Sequence, residues 1–278
     1  MTAAASRVWL ITGASSGFGR AIAEAALAAG DSVVGTARRA RTLDDLAAAH
    51  PGRVAAVALD LTDPARIPDA AAEALAAFGR IDVLVNNAGR GHIGAVEETG
   101  DAELRELMQL HLFGPAALIR AVLPQMRERR SGAIVQLSSM GGRFSFPGVG
   151  GYSATKFALE GLSEALAKEV EPFGIDVLVV EPGAFRTSFA GGGLSQSEPM
   201  AAYQDSVGPL RTDLPGSDGQ QPGDPAKAAA AILTALAAEK TPLRLPLGND
   251  ATDMVIAQLA DSRAELDTWE SVSRSTDY

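Results

Sequence analysis

The run Val8-Trp-Leu-Ile-Thr12-Gly13-Ala14-Ser15-Ser16-Gly17-Phe18-Gly19 decides the architecture of this chain. Val8–Ile11 is apolar at every position, as in a strand covered on both faces. A helical pattern follows from Gly17 to Ala29 and is closed by Gly30. Between strand and helix, Gly13 permits a sharp turn and Gly17 lets the backbone approach a ligand. Gly19 allows close helix–strand contact. The helix N-terminus then offers free N–H groups and the positive end of its dipole to a pyrophosphate. The same glycines also suit an ordinary tight strand-to-helix turn, but the strand–loop–helix context favours a nucleotide. Their spacing, Gly-x-x-x-Gly-x-Gly, differs from the general Gly-x-Gly-x-x-Gly dinucleotide pattern and lacks the lysine of a P-loop.

Working outward, apolar runs alternate with helical patterns. Strands are expected at Ser32–Thr36, Val54–Leu59, Ile81–Val85, Ala133–Leu137 and Val177–Val180, and a long helix from Asp101 to Met126 that Pro115 bends. Pro225–Ala238 reads as a helix, Leu243–Leu247 as a short strand, and Ala251 to about Val272 as a last helix. This predicts one doubly wound α/β domain over residues 1–278, a Rossmann-like parallel sheet of about seven strands with helices on both faces. Residues 184–223 break the rhythm with Gly, Ser, Pro and weak periodicity, and are read as a substrate lid.

The chain has 278 residues, enough to bury a full core, and 29 glycines suited to tight turns. Its net charge of −10, from 34 acidic and 24 basic residues, argues against nucleic acid or an anionic membrane as a partner. No stretch reads as apolar enough to span a bilayer, and the start, Met1–Arg7, is too short before the first strand for a signal peptide. With no cysteine, disulfides, thiolate catalysis and zinc–thiolate sites are excluded, and no metal site is predicted. A cytoplasmic protein is expected.

Tyr152 and Lys156, in Gly151-Tyr-Ser-Ala-Thr-Lys156, carry the chemistry. Four residues apart on a helix, they project from one face. A free phenol titrates near ~10, too high for proton transfer at neutral pH, and an adjacent ammonium is expected to draw it down. Taken alone, the spacing describes any solvated helix face.

Further motifs give it a setting. Thr12–Gly19 resembles the Thr-Gly-x-x-x-Gly-x-Gly loop of the short-chain dehydrogenase/reductase family, compact single-domain type. Asn86-Asn87-Ala88-Gly89, Tyr152-Ser-Ala-Thr-Lys156, Ser139 thirteen residues before the tyrosine, and Pro182-Gly183 with Thr187 resemble its other motifs. The likeness covers roughly Arg7 to Thr187. It implies hydride transfer between a nicotinamide and a carbonyl or alcohol, with Tyr152 as general acid or base. Lys156 would lower the tyrosine's pKa and bind the nicotinamide ribose, and Ser139 would hydrogen-bond the substrate oxygen. Cofactor contacts are implied for Gly13, Ser15, Ser16, Gly17, Phe18, Gly19, Asp60, Leu61, Asn87, Ala88, Gly89, Pro182, Gly183, Phe185 and Thr187, together with Tyr152 and Lys156. Where the family usually has a catalytic asparagine, thought to bend the helix and hold a relay water, this chain has His111. A relay role is expected of its imidazole, against the alternative of simple packing. His50 and His92, without partners in sequence, are read as surface or loop residues.

The second strand ends in Gly35-Thr36-Ala37-Arg38-Arg39 with no carboxylate to bind a ribose hydroxyl. Arg38 and Arg39 suit a 2′-phosphate, so NADP is preferred and NAD is less favoured. The substrate is expected to be a small, mostly apolar carbonyl or alcohol, given Phe144, Phe146, Val149, Phe185, Phe189 and Leu194. Two rivals are a nicotinamide-binding regulator with little turnover, supported only by His111, and a sugar-nucleotide epimerase of the extended branch. The latter needs a different glycine spacing and a larger C-terminal domain. A homodimer or homotetramer is compatible with the family; the charged helix Ala251–Val272 could cover the surface used in the tetramer, which leaves a dimer or monomer open.

Overall fold

In the computed structural model, which describes residues 6–278, Val8–Thr12 forms the strand β1 with all five side chains buried. Successive side chains of a strand point to opposite faces. Trp9 and Ile11 accordingly enter one core with Ile22, Leu27 and Ile232, while Val8 and Leu10 enter a second with Leu118, Met126 and Ile134. Two apolar faces explain why these strands read as continuous hydrophobic runs. The opening residues Met1–Ala5, part of the start judged too short for a signal peptide, lie outside the described residues.

The remaining strands are β2 (Ser32–Ala37), β3 (Val54–Ala58), β4 (Val83–Asn86), β5 (Gly91–Ile93), β6 (Gly132–Leu137), β7 (Ile175–Pro182), β8 (Leu194–Gln196) and β9 (Arg244–Leu247). The helices are α1 (Gly17–Ala28), α2 (Asp44–Ala49), α3 (Ile67–Phe78), α4 (Asp101–Met108), α5 (Gly114–Arg129), α6 (Gly150–Val170), α7 (Gly208–Gly216), α8 (Pro225–Leu236) and α9 (Asn249–Arg274). Seven strands make one sheet, ordered β3-β2-β1-β4-β6-β7-β9, with every neighbouring pair parallel. The order reverses between β1 and β4. In open parallel sheets a ligand crevice forms there, beyond the C-terminal ends of the strands.

Four features differ from expectation. The long helix is not merely bent at Pro115: α4 and α5 are joined by a π-helical turn, Gln109–Phe113, closed by Gly114 N–H on the Gln109 carbonyl. Pro115 has no N–H for the His111 carbonyl, so the turn widens to keep its other bonds. The continuous run 101–129 also contains an 18-residue window with the mean hydropathy, 1.3, of a membrane span, contrary to the sequence reading. Its Leu107, Leu118, Ile119, Val122 and Met126 are nevertheless buried in the protein. The region 184–223 is not structureless: it contains α7, and β8 pairs in parallel with β5 as a separate two-stranded sheet. Strands of three residues and a helix containing Pro215 leave little periodic signal. Finally, α9 buries only Ala251 and Val255, while Ile256, Leu259, Leu266, Trp269 and Val272 stay exposed. The helix therefore leaves the body after its first turns instead of covering the sheet edge.

Gly19 holds the first helix against the first strand. A Cβ there would run into the Gly13 carbonyl and the Asn87 side chain, both fixed by other bonds. Gly19→Ala is expected to cost about 1–3 kcal/mol, the usual range for overpacking, and to weaken nucleotide binding. Chemical denaturation alongside a nucleotide titration checks both; an unperturbed variant would contradict the contact.

Candidate active site

At the switch point, Thr12 and Asn87 join β1 to the segment after β4. The Thr12 hydroxyl donates to the Val85 carbonyl at 3.2 Å and accepts the N–H groups of Asn87 at 2.9 Å and Ala88 at 3.0 Å. The Asn87 amide returns hydrogen bonds to the Thr12 carbonyl at 2.8 Å and that of Gly13 at 3.3 Å. Gly13 and Gly17 adopt positive φ, +66° and +54°, which a side chain would strain. Ser16 caps α1 in extended conformation without a side-chain hydrogen bond, and no acidic residue occupies the first turn. The first N–H groups of α1 are thus left to an anion.

A cavity of about 860 Å³ opens above this cradle. Its walls include Gly13, Ser15, Ser16, Gly17, Phe18, Arg38, Asp60, Leu61, Asn87, Ala88, Gly89, His111, Ser139, Tyr152, Lys156, Pro182, Gly183, Phe185 and Thr187. Gly19 and Arg39 do not reach it. Gly19 serves the packing described above. Arg39 is extended and follows Arg38, so its side chain leaves the opposite side of the backbone. The two arginines therefore do not act as a pair, and Arg38 alone stands on the wall. Asp60 folds over its own turn, with one oxygen accepting Thr62 N–H at 2.9 Å and the Thr62 hydroxyl at 2.7 Å. Thr187 lies across the glycine loop, where a Cβ on Gly17 would come 3.2 Å from it, and Phe185 packs on Phe18 with ring centroids 5.0 Å apart.

The reactive side chains gather at the other end of the cavity. Lys156 is buried and donates to the Leu137 carbonyl at 2.8 Å, its Nζ 5.7 Å from the centroid of the Tyr152 ring. Ser139 follows β6, and its Oγ accepts Gly141 N–H at 3.0 Å. Its own hydrogen is free to point at the phenol or at a substrate oxygen. The electrostatics depart from the sequence reading. Burial pushes the Tyr152 phenol up to about 12, and the Ser139 hydrogen bond opposes this; the lysine is not what governs it. Burial also brings Lys156 down to about 8, against the pull of Glu160 one turn further along α6.

His111 sits in the π-helical turn, buried, with its ring edge-on to Tyr152 at 5.7 Å. Arg90 N–H donates to Nε2 at 3.2 Å, so that nitrogen carries no proton. Nδ1 is then the protonated one and donates to the Thr155 hydroxyl at 2.8 Å. That hydroxyl donates in turn to the Tyr152 carbonyl at 2.7 Å. Both ring nitrogens are occupied by protein groups, so the imidazole has no position left for a relay water, contrary to the sequence expectation. Burial, with Lys156 and Arg90 adding to it, holds the ring neutral well below the usual histidine range.

Several residues at the site have no sequence signature. His92, read as a surface or loop residue, is buried in β5 between the hydroxyls of Ser195 in β8 and Ser197 just after it. His50 lies away from the site, at the end of α2, where Nδ1 bonds the Arg53 side chain three residues on. Asp250, at the start of α9, accepts Ala184 N–H at 2.7 Å and occupies the space beside Gly183 that any side chain there would need. Phe189 stands edge-on to Tyr152 at 5.7 Å. The contacts of His92, Asp250 and Phe189 join residues far apart in sequence, and neither spacing nor composition signals them.

A glycine cradle beside a cluster of half-buried Ser139 and Tyr152 with buried Lys156, at the switch point of a parallel sheet, defines a nucleotide-binding oxidoreductase. The family model for short chain dehydrogenase matches residues 7–197, and the chain belongs to that family. It is 39% identical to Oxidoreductase BOA17 of Botryotinia fuckeliana over 96% of this chain and 98% of that protein. A crystal structure of a short-chain dehydrogenase from Streptomyces avermitilis is 63% identical. It superposes with a TM-score of 0.93 over 98% of this chain and 99% of the other. A short chain dehydrogenase/reductase from Burkholderia phymatum, solved in complex with NAD, is 26% identical with a TM-score of 0.83, over 95% and 97% of the two chains.

Because Lys156 is neutral above about 8 when folded and above about 10.5 when unfolded, the cost of burying its charge is full below pH 8 and disappears above pH 10.5. Lys156→Met is expected to gain stability on the wild type at pH 7, and that difference should shrink by about 3 kcal/mol between pH 8 and 10.5. Denaturation curves across that window test this, and a pH-independent difference would contradict it.

Proposed function

We propose that the chain transfers a hydride between NADP(H) and the carbonyl or alcohol group of a small, mostly apolar molecule. The observation that carries this is the convergence of Ser139, Tyr152 and Lys156 at one end of the cavity whose other end is the uncapped start of α1. The residues present fit a dinucleotide: the glycines leave a cradle that Cβ atoms would fill, and the first N–H groups of α1 lack a side-chain partner. Gly13, Ser15, Ser16 and Gly17 would hold the pyrophosphate, and Asp60 and Leu61 the adenine. Pro182, Gly183 and Thr187 would hold the nicotinamide end, and Lys156 the ribose beside it. When bound, the nicotinamide supplies or takes the hydride.

The chain's own residues do the rest. The Ser139 hydroxyl holds the substrate oxygen, and the Tyr152 phenol, protonated at neutral pH, gives its proton to that oxygen as the alkoxide forms. In the reverse direction the phenolate needs the charge of Lys156 beside it. Phe146, Val149, Phe189, Leu194 and Leu210 line the substrate end and support an apolar substrate. NADP is favoured because Arg38 is on the wall with no carboxylate at the end of β2 to repel a 2′-phosphate. For assembly we propose a dimer through α5 and α6, supported by the exposed Phe157 and Leu162 on α6 and Phe113 just before α5.

The test is NADPH oxidation over a panel of ketones and aldehydes, repeated with NADH. Turnover is expected with NADPH, lower turnover with NADH, and a loss of at least ~10²-fold for Tyr152→Phe, which removes the acid. Arg38→Ala is expected to raise KM for NADPH about ten-fold or more and leave that for NADH little changed. Tight NADPH binding without turnover of any carbonyl would support the regulator instead.

A further inference from the structure

The lid is joined to the body through β5 and β8, three residues each, in the register Gly91↔Leu194, His92↔Ser195 and Ile93↔Gln196. Two main-chain bonds bracket the pair: Gly91 N–H to Gly193 O at 2.8 Å and Ser197 N–H to Ile93 O at 2.9 Å. So short a ribbon is not stable by itself. Register slips are cheap in such strands unless side chains forbid them.

Arg211 of α7 donates to the Ser197 carbonyl at 2.9 Å and the Gln196 side chain at 3.2 Å from outside the ribbon, and one buried ring supplies the restraint between its two strands. His92 Nδ1 lies 3.0 Å from the Ser195 hydroxyl and Nε2 lies 3.0 Å from that of Ser197, so both nitrogens reach the strand across from it. Ser197 Oγ is also 3.0 Å from a carboxylate oxygen of Glu103, which holds Gly100 N–H at 2.9 Å at the start of α4. An ionised carboxylate only accepts, so Ser197 donates to Glu103 and accepts from Nε2–H. In the neutral ring Nδ1 accepts from Ser195. In the charged ring it donates, and Ser195 turns its hydrogen to the Gly91 carbonyl at 3.2 Å. Either way both nitrogens stay bonded, and the ring ties β5, β8 and α4 together. A slip of one residue would bring Leu194 or Gln196 to the ring in place of a serine.

The register matters because of what adjoins it. A Cβ on Gly91 would meet Leu194 at 2.7 Å and the Phe189 ring at 2.9 Å, so both side chains close over that glycine. Phe189 continues edge-on to Tyr152. We propose that His92 is a positioning residue that locks the lid strand in register, and so sets Phe189 and Leu194 as the roof over the phenol against which an apolar substrate fits. The substrate part rests on the function proposed above; the fastening does not. A second anchor lies further along the lid, where Glu98 accepts Met200 N–H at 2.7 Å and pairs with Arg211 at 2.7 Å. Loosening His92 should therefore free the segment that leads into β8, while Glu98 and the Arg211 bonds to Gln196 and Ser197 leave α7 in place.

Hydrogen–deuterium exchange of the full-length protein tests the fastening without a substrate. His92→Ala is expected to speed exchange in residues 187–198 about ten-fold or more while residues 205–216 keep the wild-type rate. His92→Gln, whose amide can still donate to Ser197, should recover most of the protection. Ser197→Ala, which removes only a hydroxyl, should reproduce the local loss. With the ketone turned over fastest, both loosening variants should raise KM about ten-fold with kcat within about two-fold, since Ser139, Tyr152 and Lys156 are untouched. Unchanged exchange at 187–198 in Ser197→Ala overturns the proposal, as does equal acceleration across the whole chain in that variant. If no ketone is turned over by the wild type, the function reading fails while the exchange result still decides the role of His92.

Discussion

The site depends on the bonds between Thr12 and Asn87. Where the strand order reverses between β1 and β4, two neighbouring strands send their chains in opposite directions and a crevice opens. Thr12 and Asn87 close the bottom of that crevice with one hydroxyl and one amide, satisfying main-chain groups that neither strand can pair there. The glycine loop then turns above Thr12, and the chain after Asn87 runs through Arg90 directly into β5. The cradle, the bonding of His111 and the β5–β8 ribbon are consecutive consequences of that junction. Their separation in sequence hides how directly they are connected.

Burial shapes the chemistry at a cost in stability. Lys156 is shielded from water, and Tyr152 sits at the cavity floor with its proton firmly held. Beneath them lies a second set of charges. Glu181, wholly buried, pairs with Arg143 at 3.1 Å and lies 3.6 Å from Arg244, which also binds Glu160 at 3.0 Å. Burial raises the Glu181 carboxyl, with Glu160 adding to it against the two arginines. Such groups stabilise little by themselves, since their desolvation offsets most of the attraction. What they do is tie the turn after Ser139, β7, β9 and α6 into one frame, which holds Ser139 and Tyr152 at a fixed spacing.

Much of this was legible in the chain. Strands buried on both faces leave unbroken apolar runs, and the half-exposed edge strands β3 and β9 keep enough apolar residues to be read with them, so all seven members of the main sheet could be placed from sequence; Gly13, Gly17 and Gly19 stand where the backbone demands glycine. Tyr152, Lys156 and Ser139 could be named because their spacing is local or lies in a recognisable family pattern. Interactions that are not local escaped. The π-helical turn arises from a missing N–H at Pro115, which reads in sequence as a simple bend. His111 looked like a proton relay until Arg90 and Thr155 were seen to take both its nitrogens. His92 looked superficial because Ser195, Ser197 and Glu103 lie far along the chain. Arg39 was paired with Arg38 by adjacency, although adjacent side chains on extended backbone diverge.

The most direct test of the central claim follows the hydrogen itself. NADPH carrying deuterium at both positions of nicotinamide C4 is incubated with the protein and a ketone, and the alcohol is analysed by mass spectrometry. The account predicts one deuterium per molecule of alcohol, bound to the carbinol carbon, and at least ~10²-fold less of that alcohol when Tyr152→Phe replaces the wild type over the same time. Alcohol formed without deuterium, or deuterium transfer undiminished in the phenylalanine variant, would contradict it.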